Sequence, residues 1–132
     1  MTSYAITKGK KAYSSACYNN LNYQGIGTRI FRLTDSTALL LTAYSSNMYA
    51  CIVTCAKGGT PTFGSFVSCG ISQSGYQFDA IQISPTQFQV FMCGPNQYCL
   101  SSKLLTISGT SVSWGTQYYV NGDYYAGGTS SY

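Results

Sequence analysis

Short apolar runs alternate with clusters of turn-forming residues along this chain, and no apolar stripe recurs at the helical period of about 3.6 residues. The pattern predicts strands throughout and almost no helix. Tyr4 to Thr7 and Ala12 to Tyr18 flank Lys8, Gly9 and Lys10, which predicts an N-terminal hairpin, followed by a polar loop leading to Gly25 and Gly27. In Ile30 to Leu33 the residues Phe31 and Leu33 share one face and Arg32 takes the other, and Thr34, Asp35 and Ser36 make a turn. Ala38 to Ala43 is an uncharged run suited to a strand covered on both faces. Tyr49 to Cys55 and Thr60 to Val67, joined by Lys57, Gly58 and Gly59, supply a third and a fourth strand.

The same plan returns further along. Phe31 and Leu33 correspond to Ile81 and Ile83, Leu40 and Leu41 to Val90 and Phe91, and Asp35 and Ser36 to Pro85 and Thr86, all at an offset of 50. At an offset of 51, Gly58 corresponds to Gly109, Phe63 to Trp114 and Gly64 to Gly115. The chain is therefore expected to be a single all-β domain over residues 1–132. It divides into an N-terminal hairpin and loop (1–26), a first repeat unit (27–78), a second repeat unit (79–122) and a C-terminal strand and arm (123–132). Each unit is a four-stranded meander like a propeller blade. Two such units with a hairpin fall short of the roughly four blades a closed propeller needs, so either several chains complete a ring or the units pack as a sandwich or barrel. Exposed strand edges favour association in each case, and a homo-oligomer is expected.

Composition agrees with this reading. Tyr, Ser, Thr, Gly and Asn crowd the spaces between apolar runs, and only 8% of residues are charged, which suits strands and turns. The net charge of +4 comes from scattered residues, with Lys8, Lys10 and Lys11 the sole cluster, so neither a nucleic-acid partner nor a membrane surface is expected. The first fifteen residues lack the apolar core of a secretory signal, and no apolar run has the length of a membrane span, so a soluble protein made in the cytosol is expected. Six cysteines sit uneasily with a reducing compartment, and later release into oxidising surroundings, as for a virus particle, would reconcile the two.

Candidate chemistry is sparse. With no histidine and no glutamate, the usual general bases are missing and only Asp35, Asp79 and Asp123 could act as acid and base. Their spacing is regular, yet Asp35 falls opposite Pro85 and Asp79 opposite Arg29 in the repeat, so they occupy different places in the unit and read as turn or strand-end residues. No enzymatic activity and no cofactor are expected. Cys51 and Cys55 lie on one face of a strand, roughly 13 Å apart, which does not make a metal pair. Cys93 and Cys99 bracket a turn centred on Asn96, where either a hairpin-closing disulfide or two free thiols fit. Phe63 and Trp114, at one repeat position, are expected to anchor the core. Tyr118, Tyr119, Tyr124 and Tyr125 flank the Asn121-Gly122 hairpin signal, and tyrosine at an exposed tip suits contact with protein or glycan.

Leu33 to Leu40 (LTDSTALL), Tyr49 to Thr54 (YACIVT) and Gly59 to Ser65 (GTPTFGS), with their weaker copies Ile83 to Thr86 (ISPT) and Gly109 to Thr116 (GTSVSWGT), resemble the propeller-like repeats of bacteriophage tail-fibre and other virion-surface proteins. The resemblance spans about two thirds of the chain. It implies a structural or adhesive protein of a phage particle, a head decoration or tail-fibre component at the virion surface. Its partners would be other virion proteins and a host-surface glycan. The competing expectation is a carbohydrate-binding lectin that completes a propeller by oligomerisation, with Phe63, Trp114 and the tyrosines stacking on sugar rings.

Overall fold

The computed structural model describes residues 27–44, 47–70, 78–93 and 100–119. The expected hairpin in residues 1–26 and the C-terminal arm lie outside them. Among the described residues there is no helix, and nine strands form two antiparallel sheets. The first sheet contains β1 (Thr28–Arg32), β2 (Thr37–Tyr44), β3 (Asn47–Thr54), β4 (Thr62–Phe63) and β5 (Val67–Ser68). The second contains β6 (Phe78–Ser84), β7 (Gln87–Cys93), β8 (Leu100–Ser108) and β9 (Ser111–Tyr119). Each is a meander in chain order, and among the described residues no strand pairing joins the two sheets, so they do not close into a barrel.

Local chemistry fixes the turns. Thr34 closes the β1–β2 connection, its hydroxyl accepting from the backbone N–H of Ser36 at 3.2 Å and of Thr37 at 3.0 Å. Gly58 and Gly109, matched in the sequence repeat, both adopt left-handed φ, 73° and 59°, a conformation glycine accepts without a steric penalty. The first unit's expected fourth strand is broken into β4 and β5. Val53 pairs with Phe63 and Ala50 with Val67, so three steps along β3 are matched by four on its partner, an extra residue that makes a bulge. The second unit carries the same feature: Leu105 pairs with Trp114 and Lys103 with Gln117, with the shift just after Trp114-Gly115. An aromatic residue, a glycine and a bulge thus recur at one place in both meanders.

The sheets pack face to face over one core. Leu39, Leu41, Ala43, Met48, Ala50 and Ile52 of the first sheet meet Phe88, Val90, Met92, Leu105, Ile107 and Val112 of the second. Phe31 reaches across from β1 to Phe88, ring centroids 5.2 Å apart and tilted by 58°. At the other end Trp114 packs on the core and its indole N–H donates to the Val67 carbonyl at 3.1 Å. The Lys103 ammonium donates to the Cys69 carbonyl, a second polar tie between the sheets.

The ladders show how the repeat is used. Phe31 and Leu41 face the second sheet, but their equivalents Ile81 and Phe91 face away from the first. Conversely, Phe63 shares the outward face of Val53, while Trp114 shares the inward face of Leu105. Equivalent positions therefore point the same way along the stack. The units succeed one another as neighbouring propeller blades do, and they are not mirrored about a shared midplane as in a two-fold sandwich.

Gly64 marks a close backbone approach between the two units. A Cβ added there would lie 3.0 Å from the Thr110 carbonyl oxygen, in the β8–β9 turn, and 3.2 Å from that of Ile52. Both neighbours are backbone and cannot swing aside. Gly64→Ala is expected to destabilise the fold by about 1–3 kcal/mol, the range for overpacking, read from the shift of a urea midpoint.

Candidate interaction surface

Charged groups do not converge. Asp35 pairs with Arg32 in the β1–β2 turn, and both side chains are exposed. Asp79 accepts from the Ala80 N–H at 2.9 Å and stands 3.9 Å from Arg29 Nε across the sheet edge. The two carboxylates thus sit in different surroundings, and Asp123 lies outside the described residues. Exposed pairs of this kind contribute about 0–1 kcal/mol each. Among the described residues no three of His, Cys, Asp and Glu gather as a metal site would require. No helix there is long and apolar enough to cross a membrane. A shallow hollow beside Arg32, Thr34, Asp35, Val53 and Cys55 is open to solvent, and its only charges are the Arg32–Asp35 pair.

The sequence-derived contact residues separate in space. Tyr118 pairs with Ser102 and Tyr119 with Ser101, so the two tyrosines leave β9 on opposite faces. Both are more than half exposed. Tyr118 looks out from the free face of the second sheet, and Tyr119 lies on the side turned to the first. Tyr124 and Tyr125 lie outside the described residues, as does the Asn121-Gly122 tip. Tyr118 and Tyr119 end β9 itself. For the proposed disulfide, the ladder pairs Cys93 with Leu100, one step beyond Cys99, which is itself not described.

Phe63 and Trp114 share a repeat position yet differ in setting. Trp114 is half-buried between the sheets with its N–H engaged, whereas Phe63 faces outward from the first sheet and stacks on Phe66 at 6.3 Å with 22° between the rings. The bulge after Gly115 interrupts the two-residue alternation along β9: Val112 and Trp114 turn inward and Thr116 is exposed.

What the sequence did not single out is the free face of the second sheet. The ladders put Ile81, Gln89 and Leu104 in one row across it and Asp79, Phe91, Ser102 and Tyr118 in the next. Ile81 is 62% exposed, and Ile83, at the β6 bulge, is 58% exposed. In those two rows Asp79 is the only charged residue. The available signal was the repeat itself, since Ile81 stands where Phe31 stands in the first unit. Comparison with protein-family models, curated proteins and solved structures finds no match.

Proposed function

We propose that this chain is a non-enzymatic structural or adhesive component of a bacteriophage particle, of the head-decoration or tail-fibre kind, assembled through contacts between β surfaces. The observation that carries the reading is the stacking of two repeat units in one sense, which leaves a largely uncharged, aliphatic sheet face open to solvent. Such a face suits assembly better than catalysis, because it offers apolar area and backbone-ordered shape, and its one carboxylate in the two rows, Asp79, lies on the edge strand beside Arg29 with no second acid or base near it in those rows. The resemblance of its repeats to those of virion-surface proteins supplies the particle.

Proteomic analysis of density-banded particles from the phage that encodes the chain tests this. Peptides spanning both units are expected in the particle band at a copy number commensurate with head or tail symmetry; recovery only from the unbanded lysate would overturn it.

The outward-facing Phe63–Phe66 stack is the one observation that favours the lectin reading, since paired rings can support a sugar face. Trp114 would not serve in this role while its ring packs in the core. A glycan array decides between the two: binding lost in Phe63→Ala but retained in Ile81→Lys would replace assembly with sugar recognition.

A further inference from the structure

We propose that the free face of the second sheet is the docking surface for a second copy of this chain, sheet against sheet about a two-fold axis. The inference rests on the reading that the chain assembles through its β surfaces, and it names the surface and the partner.

The repeat supplies the first reason. Leu39 is buried in that contact and has the polar equivalent Gln89, but Phe31, Leu33 and Leu41 are also among the positions through which the first unit grips the second, and Leu41 is fully buried by that contact. Their equivalents on the second unit are Ile81, Ile83 and Phe91, which remain apolar although no third unit covers them among the described residues. An isolated exposed isoleucine on a β-strand is ordinary, but Ile81 in one row with Leu104 and beside the row of Phe91 and Tyr118, with the exposed bulge residue Ile83 further along the same edge strand, makes a patch of the kind that marks an interface. The face thus continues an apolar interface already used within the chain.

The second reason identifies the partner. Head-to-tail stacking would seat this face on the outward face of another copy's first sheet, the one bearing Ile30, Leu40, Cys51 and Phe63. That face is not open at its centre: Leu40 is 6% exposed and Cys51 is fully buried. On the free face of the second sheet Ser102 is buried between Phe91 and Tyr118, but the large residues stay open, Ile81 and Tyr118 more than half exposed and Phe91 and Leu104 partly so. Packing the face against its own copy joins two apolar surfaces whose one charge in the described rows, Asp79, lies on the edge strand. A two-fold contact also closes the assembly at two chains, whereas a head-to-tail contact leaves ends open unless it forms a ring.

Sedimentation velocity of the purified full chain at micromolar concentration, with the substitutions I81K and I30K, tests the proposal. Wild type is expected to run as a dimer. I81K places a charge on each side of the axis and should weaken the dimer by roughly tenfold or more. Ile30 is similarly exposed, at 67%, but lies on the other sheet, so I30K should dimerise as wild type does. Both sites are exposed, and a far-UV spectrum matching wild type certifies the fold; if I81K fails that check, I83K takes its place with the same expectation. A wild-type chain that stays monomeric over the micromolar range, or a dimer broken equally by I30K and I81K, would overturn the proposal, the latter in favour of head-to-tail stacking. Failure here is separable from failure of the functional reading. A monomer recovered in particles removes only the docking face, and an I81K-sensitive dimer missing from particles removes only the virion role.

Discussion

Phe88→Ala is expected to lower stability by about 3–5 kcal/mol, the range for deleting a buried phenylalanine. Phe88 is fully buried in β7, and its ring meets Phe31 across the interface between the sheets. Removing the ring opens a cavity where the two units join, and neither sheet can collapse into it without breaking its own ladder. The pair itself should contribute about 0.5–1.5 kcal/mol beyond burial, measurable as the coupling in a double-mutant cycle of Phe31→Leu and Phe88→Leu. Urea denaturation followed by circular dichroism reads both numbers. A Phe88→Ala cost under about 1 kcal/mol would mean that the sheets do not depend on each other for burial.

Trp114→Ala should cost about 3 kcal/mol, the low end of the range for a large aromatic because the ring is only half-buried. The loss combines contact with the core and the hydrogen bond to the Val67 carbonyl, which ties β9 to β5 across the stack. Trp114→Phe separates the two contributions. It keeps most of the ring area and removes the donor, so it should recover all but about 1 kcal/mol. Equal destabilisation in both variants would assign the whole effect to the hydrogen bond, and no effect in either would place Trp114 outside the structural role.

Much of the architecture was legible because the signals were local. Turn residues at Thr34-Asp35-Ser36 and at Lys57-Gly58-Gly59, with uncharged runs between them, mark strand boundaries wherever they occur. The repeat was legible for the same reason: Gly58 and Gly109 are required by one turn geometry and therefore recur. The break of the fourth strand at Gly64 was not visible, since a bulge depends on how the partner strand continues, and the tight approach of Thr110 comes from the other unit. Lys103 could not be placed either; a lysine inside an apolar strand has no local reason to turn inward, and its partner, the Cys69 carbonyl, is distant in sequence.

The candidate surface shows the same division. Sequence spacing put Ile81 in register with Phe31, and the ladders agree, but register does not give burial. In a stack of units pointing one way, the last unit turns its gripping face to whatever comes next. Whether Ile81 is core or surface therefore depends on the number of units and on the partner, neither of which a single residue encodes. Tyr118 and Tyr119 illustrate the converse: adjacent residues look like one patch in a sequence, and the period of two along β9 sends them to opposite faces.

Everything proposed for this chain rests on the two units forming one stacked body, and its one tryptophan sits where they meet. Equilibrium urea unfolding followed in parallel by Trp114 fluorescence and by far-UV circular dichroism tests that directly. A single shared midpoint and slope for the two probes is the predicted result, because the contact between the sheets and the ladders within them should be lost together. A fluorescence transition complete before the strands unfold would contradict it, leaving two sheets that fold independently and no common stack for an assembly face to extend.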